Sequence, residues 1–263
     1  MSDIDTKFLS QCFGLDGRTA VVTGAGSGLG RQAAKALAAA GAEVALLGRR
    51  EPPLKETEEL IRNQGGRARS FSVDVTDSDA LGQTLDAIQR DMPPLWVLVN
   101  NAGVGGRAPL LDVSAEQIDQ ILGVNTKAAL LAAAAFAQRL LAGRLQGRIV
   151  NICSLAAQTH PLGLAVYGAS KAALEHLTRS MAREWISHGI NVNAVNPGYI
   201  ETDINRAMFR SPAGQKIVEG LPRQRLGTPE ALDGALLLLS SPASAFITGS
   251  TITVDDGQRF SGG

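Results

Sequence analysis

Apolar and β-branched residues cluster in seven short runs along the chain, at 19–23, 43–47, 69–73, 96–100, 148–152, 191–195 and 251–254. Runs such as Val-Ala-Leu-Leu (44–47) and Trp-Val-Leu-Val (96–99) show no polar alternation, which predicts strands covered on both faces. Stretches of helical character separate them. One covers 31–40 and stops at Gly41, another opens at Pro229 and ends in apolar residues at Leu239, and the Ala-rich 128–137 reads as a buried helix. Strand and helix in alternation predict an α/β, doubly wound, seven-stranded parallel sheet with helices on both faces, a Rossmann fold. No linker or internal repeat divides the 263 residues, so one domain over 1–263 is expected, with a flexible N-terminus to about residue 13. The segment 199–227, with Pro212, Gly214, Gly220 and Pro222, lacks a clear period and is expected to form a lid over a substrate site.

Composition narrows the functional classes. The chain holds 25 basic and 25 acidic residues and has no basic stripe, so neither nucleic acid nor a membrane surface is an expected partner. The N-terminal residues Met-Ser-Asp-Ile-Asp-Thr-Lys lack a charged and apolar leader, and the longest apolar stretch is shorter than a bilayer span, which together predict a cytoplasmic protein. Cys12 and Cys153 are too few and too far apart for a disulfide framework or a cysteine metal site, and Cys153 is expected to be buried and inert. His160, His176 and His188 are scattered without ligand spacing, so no metal site is expected; His160 is a candidate to line a substrate mouth.

Two local patterns carry chemistry. Gly24, Gly28 and Gly30 lie in Thr-Gly-Ala-Gly-Ser-Gly-Leu-Gly (23–30), directly after the first strand and at the start of a helix. Glycines there permit a tight turn, close packing of the helix on the strand, and close approach of backbone to a pyrophosphate, which meets the positive end of the helix. At the end of the second strand, where an acidic residue would hold the ribose hydroxyls of NAD, the chain has Gly48 followed by Arg49. A guanidinium there pairs with a 2′-phosphate, so NADP is the expected cofactor, with NAD possible. Tyr167 and Lys171 stand four residues apart, a helical spacing that sets a phenol against an ammonium and makes a proton donor.

Together, the motif 23–30, Asn100-Asn101-Ala102-Gly103, Ser154 thirteen residues before Tyr167, Lys171 and Pro197-Gly198 resemble the short-chain dehydrogenase/reductase family in its compact single-domain form. The resemblance spans nearly the whole chain. It implies that Ser27 and Leu29 join the glycines at the cofactor, that Asp74 and Val75 hold the adenine, and that Asn101, Ala102 and Gly103 line the cofactor. It further implies that Pro197, Gly198, Ile200 and Thr202 meet the nicotinamide end, and that Asn125 positions a water on the proton path. Asn100 can be structural. The implied reaction is reversible hydride transfer between a ketone or aldehyde and a secondary alcohol. Ser154 and Tyr167 hold the carbonyl oxygen, Tyr167 acts as general acid or base, and Lys171 binds the nicotinamide ribose as well.

The small-molecule substrate is expected to be a 3-oxoacyl thioester or a sugar or polyol, and Met208 and Phe209 beside Arg206 and Arg210 in the lid suit either apolar or anionic groups. A homotetramer is implied by the resemblance. An alternative is a catalytically silent dinucleotide-sensing protein, which the intact Ser154, Tyr167 and Lys171 oppose; an epimerase or dehydratase would need an added substrate domain. The family often ends its last strand in Val-Asp-Gly-Gly, whereas this chain reads Val254-Asp255-Asp256-Gly257.

Overall fold

A computed structural model describes residues 6–261. All seven expected strands form: β1 (Thr19–Thr23), β2 (Glu43–Gly48), β3 (Arg67–Ser72), β4 (Leu95–Asn100), β5 (Gly147–Ile152), β6 (Ile190–Pro197) and β7 (Thr251–Val254). They make one parallel sheet in the order β3-β2-β1-β4-β5-β6-β7. Ten helices accompany the sheet: α1 (Thr6–Phe13), α2 (Gly28–Ala39), α3 (Glu51–Asn63), α4 (Ser78–Asp91), α5 (Ala115–Leu122), α6 (Ala129–Ala142), α7 (Ala165–Trp185), α8 (Arg206–Arg210), α9 (Pro212–Glu219) and α10 (Asp233–Ser240). A π-helical turn, Gly123–Ala128, joins α5 to α6.

Strand side chains alternate between two cores, which is why the runs are apolar throughout. Ala20 and Val22 of β1 pack with Leu37 of α2, Leu54 and Ile61 of α3 and Leu236 of α10. Val21, between them, joins Leu85 of α4, Phe136 of α6 and Met181 of α7 on the other face. A full Leu, Ile or Phe burial contributes about 1.5–3 kcal/mol, so both faces anchor the sheet that carries the site.

Strand order reverses beside β1, whose neighbours β2 and β4 lead away in opposite directions. Such a switch point opens a crevice at the carboxyl ends of the strands. Two segments carry helices that the apolar pattern does not predict. The N-terminal stretch forms a helix from Thr6 to Phe13, and residues 1–5 lie outside those described. The segment 199–227 contains α8 and α9 and is closed at its base. Gly227 donates to the Tyr199 carbonyl at 2.9 Å, Glu201 donates to the Gly227 carbonyl at 2.9 Å, and Ile200 bridges Gly227.

Candidate active site

A cleft of about 990 Å³ runs across the carboxyl ends of the strands, from Arg49 at one end to Phe209 at the other. The glycine turn forms its floor. Gly24 and Gly28 have φ of +66° and +52°, the left-handed region that glycine occupies without strain. Ser27 precedes α2 in extended conformation and makes no capping bond, leaving its hydroxyl and the first amides of the helix for an anion. The turn is clamped to β4. Asn101 donates through Nδ2 to the carbonyls of Thr23 at 3.0 Å and Gly24 at 3.3 Å, and the Thr23 hydroxyl accepts from the amides of Asn101 and Ala102 at 3.0 Å each. Arg31 supports it from the side, donating to the Gly26 carbonyl at 2.7 Å while pairing with Glu56 at 2.7 Å. Thr23 and Arg31 were absent from the sequence expectations. Thr23 ends the strand as a lone hydroxyl before the glycines, and Arg31 is recognisable only through its fold contacts.

Gly30 packs behind the turn. It lies outside the cleft, and a Cβ there would stand 2.2 Å from the Gly24 carbonyl oxygen and 2.4 Å from Asn101 Nδ2. Its small size lets α2 press against the turn, the close helix packing expected of these glycines.

Beyond β2, Arg49 projects with its side chain 71% exposed, and its Nη1 lies 4.0 Å from Asp74 Oδ2. Asp74 accepts from the Thr76 amide at 2.9 Å and hydroxyl at 2.8 Å. The Thr76 amide, then its hydroxyl and Arg49, hold the Asp74 carboxyl below the usual carboxylate range against the opposing effect of burial. Val75 follows in the cleft wall. Gly48, where a ribose-binding acid would sit, offers no side chain.

At the opposite end, β5 delivers Ser154 and α7 delivers Tyr167 and Lys171. Ser154 Oγ accepts from the Ala156 amide at 3.1 Å, which occupies one of its two lone pairs and leaves its proton to donate. Gly168 brings the two elements together, because a Cβ there would lie 2.8 Å from the Ala156 carbonyl. Lys171 is 4% exposed and donates from Nζ to the Ile152 carbonyl at 2.9 Å, with Nζ 6.0 Å from the Tyr167 ring centroid. That leaves further ammonium hydrogens for groups entering the cleft. Gly103 leaves the approach open, as a Cβ there would meet Lys171 Nζ at 3.5 Å and Asn125 Oδ1 at 3.2 Å.

Asn125 lies behind the Gly103–Val104 loop. It is fully buried and does not line the cleft. Its Oδ1 accepts from the Val104 amide at 2.8 Å and its Nδ2 donates to the Val104 carbonyl and to Ser170 Oγ, both at 3.0 Å. The side chain thus pins the Gly103–Val104 loop to α7, and its Oδ1 keeps a second lone pair. Asn100 is structural, donating to Ala129 O and Asn151 Oδ1 at 3.0 Å each. Cys153 is buried, and burial pushes its thiol up to about 12.

The end of β6 and the segment 199–227 supply the remaining wall of the cleft. Ala102, Pro197, Gly198, Ile200 and Thr202 all line it. Thr202 Cγ2 stands 3.4 Å from where a Gly28 Cβ would be, so the lid base arches directly over the phosphate turn. Phe209 is buried and meets Tyr199 edge to face, centroids 5.9 Å apart, while Met208 points outward. Arg206 is engaged by Glu201 and Asp203, both at 2.8 Å. His160 is exposed, and its neighbours Thr159 and Pro161 line the mouth in its place.

The model of the short chain dehydrogenase family matches residues 18–213. The chain is 39% identical over 249 residues to gluconate 5-dehydrogenase of Gluconobacter oxydans, covering 93% of this chain and 96% of that one. It is 38% identical over 244 residues to bovine L-xylulose reductase, covering 92% and 97%. A crystal structure of a gluconate 5-dehydrogenase from Burkholderia cenocepacia, in complex with NADP and tartrate, superposes with a TM-score of 0.89 at 33% identity, covering 95% of this chain and 98% of that one. A dinucleotide turn at a sheet switch point, a serine, tyrosine and lysine converging on one end of its cleft, and these matches together make this protein an NAD(P)-dependent oxidoreductase of the short-chain dehydrogenase family, acting on CH–OH groups.

Proposed function

We propose that the protein interconverts a secondary alcohol and a ketone on a sugar acid or polyol, with NADP as its cofactor. The observation that carries this reading is the convergence of Ser154, Tyr167 and Lys171 on one end of a cleft whose other end presents Arg49. The cradle suits a dinucleotide: the free Ser27 hydroxyl and α2 amides face the pyrophosphate position, and Gly103 leaves room beside Lys171. When bound, the nicotinamide supplies or accepts the hydride. The Ser154 hydroxyl donates to the substrate oxygen, and Tyr167 passes a proton to or from that same oxygen. Lys171, anchored by Ile152, sets its ammonium beside the Tyr167 ring and turns its remaining hydrogens toward groups entering the cleft.

A sugar-type substrate is supported by the relatives, which include a gluconate and a xylulose enzyme. Arg107 adds to it. Its stem packs where a Gly163 Cβ would be, with Cγ 2.9 Å from that position, between the lining segments around Gly105 and Leu164. An exposed guanidinium on the rim suits a carboxylate or a hydroxyl-rich chain. Residues 1–263 form a single catalytic domain in this reading, with 199–227 as its lid. The working assembly is a cytoplasmic homotetramer without nucleic-acid or membrane partners, a reading supported by the balanced charge and the family and checked by light scattering.

The deciding experiment is an NADPH oxidation screen over keto-sugar acids, ketoses and 3-oxoacyl thioesters, run with wild type and Tyr167→Phe. Turnover of the sugar compounds, abolished in Tyr167→Phe with NADPH binding retained, is expected. Thioester-only turnover, or undiminished activity in Tyr167→Phe, would overturn the proposal.

A further inference from the structure

Glu175 lies on the same stripe of α7 as Tyr167 and Lys171, two turns and one turn further along. Its carboxylate is largely withdrawn from solvent, with the side chain 13% exposed, and it does not line the cleft. Oε2 accepts from Asn196 Nδ2 at 3.0 Å and, at a longer 3.4 Å, from Gln158 Nε2. Oε1 accepts from Arg179 Nη1 at 3.1 Å.

The positions of these partners matter more than their number. Gln158 closes the short turn that Ser154 opens, its amide bonded to the Leu155 carbonyl at 2.9 Å. Asn196 is fully buried and immediately precedes Pro197-Gly198, the end of β6 that lines the nicotinamide half of the cleft. One carboxylate therefore ties the serine turn, the tyrosine helix and the floor of β6 together. Asn196 depends on it heavily, because its Oδ1 is buried without a partner and its Nδ2 bond to Glu175 is what fixes the amide's orientation. An uncharged, non-accepting residue at 175 would leave both ends of a buried amide unsatisfied.

We propose that Glu175 is a positioning residue for hydride transfer, holding Ser154 and Pro197-Gly198 in register with Tyr167 and Lys171 while touching neither substrate nor cofactor. The proposal rests on the oxidoreductase reading above and adds a role for a residue outside the cleft. Reaction rate is far more sensitive than affinity to such register, since a displacement of about 1 Å costs about 100-fold.

The test compares Glu175→Ala, Glu175→Gln, Asn196→Ala and the double alanine variant, using the best sugar substrate of the screen and NADPH deuterated at C4. Abolished turnover in Tyr167→Phe secures the underlying reaction separately, so the two ideas fail independently. For Glu175→Ala we expect kcat to fall about 10- to 100-fold, with a smaller change in KM and an NADPH dissociation constant, read by fluorescence, within about threefold of wild type. The primary isotope effect on kcat should rise, because the hydride step becomes rate-limiting. Glu175→Gln keeps one acceptor oxygen and should recover most of the loss, and Asn196→Ala should add little on top of Glu175→Ala. If the folded variants keep the wild-type kcat and isotope effect, whatever their melting temperature, Glu175 is only structural and the proposal fails; additive losses in the double variant would equally overturn it. Asn196→Ala removes the same bond from the other side and provides the readout should the Glu175→Ala variant not fold.

Discussion

Replacing Gly30 by alanine tests whether the packing of α2 against the glycine turn controls cofactor binding. The added Cβ would lie 2.2 Å from the Gly24 carbonyl oxygen, and ordinary contact begins near 3.4 Å, so about 1.2 Å must be found (3.4 − 2.2). Both obstacles are fixed: one is backbone, and the other, Asn101 Nδ2, is held by Thr23 and Gly24. Overpacking of this kind costs about 1–3 kcal/mol. Two fixed obstacles place the cost in the upper half of that range, about 2–3 kcal/mol; the helix propensity gained by removing a glycine returns about 1 kcal/mol, leaving a net loss of about 1–2 kcal/mol. In a domain of this size that lowers Tm by roughly 2–8 °C. The cofactor effect should be larger, because the turn that must move carries the phosphate-binding amides; NADPH affinity should fall at least about tenfold, or 1.4 kcal/mol. Gly234→Ala is the matched control, since its Cβ meets open space in α10 and should raise stability by up to about 1 kcal/mol. Differential scanning fluorimetry and NADPH fluorescence titration read both quantities. A Gly30→Ala protein with wild-type Tm and NADPH affinity would refute the assignment of Gly30 to packing.

Arg49→Ala should weaken NADPH about tenfold, the lower end of the 1.5–3 kcal/mol range for a charge-assisted bond given the exposure of Arg49, and leave NADH nearly unchanged; equal losses for both cofactors would show that Arg49 does not read the 2′-phosphate. Cys153 should remain unmodified by iodoacetamide at pH 8 while the partly exposed Cys12 reacts, because burial raises the Cys153 pKa to about 12 and keeps it as the unreactive thiol; mass spectrometry of tryptic peptides decides it. The sign for stability follows: the contribution of a buried thiol is complete below its unfolded pKa of about 8.5 and fades as pH climbs toward 12. Asp256 has φ +51° and pairs with Arg225 at 2.8 Å and Arg223 at 3.4 Å, so Asp256→Gly exchanges relief of a left-handed residue for loss of two lid contacts. Tm should hardly move while trypsin cuts the lid faster, and an unchanged cutting rate would show that these pairs do not restrain it.

The sheet was legible because burial on both faces writes itself into sequence as unbroken apolar runs, as in Val44–Leu47 of β2 and Val97–Val99 of β4, where every residue is buried. β3 was less so. At the sheet edge its residues range from half-buried to exposed, and pairing of Arg67 with Glu43 starts the strand two residues before the apolar signal does. The short lid helices left no period to read: α8 spans five residues, and α9 depends on Pro212 and the Ser211 cap, with Phe209 seated on Tyr199. Ser154, Tyr167 and Lys171 were legible because their residue types and spacing are restricted together, and the structure brings all three to the cleft. Gly30 and Asn125 lie outside its lining: Gly30 packs on the Gly24 backbone and Asn125 bonds the Val104 backbone, contacts that one sequence does not display.

The bridge between Ile200 and Gly227 gives the lid an unusual independence. Just beyond β6 the chain closes on itself at one bridge outside the sheet, so the twenty-six residues from Glu201 to Leu226 form a cassette whose ends are already joined. Closing a loop costs only about 0.6 kcal/mol more for each doubling of its length, so such a cassette can be lengthened, shortened or replaced with little strain on the sheet below. Selection, or an engineer, can therefore exchange what the enzyme recognises while leaving untouched the serine, tyrosine and lysine that act on it.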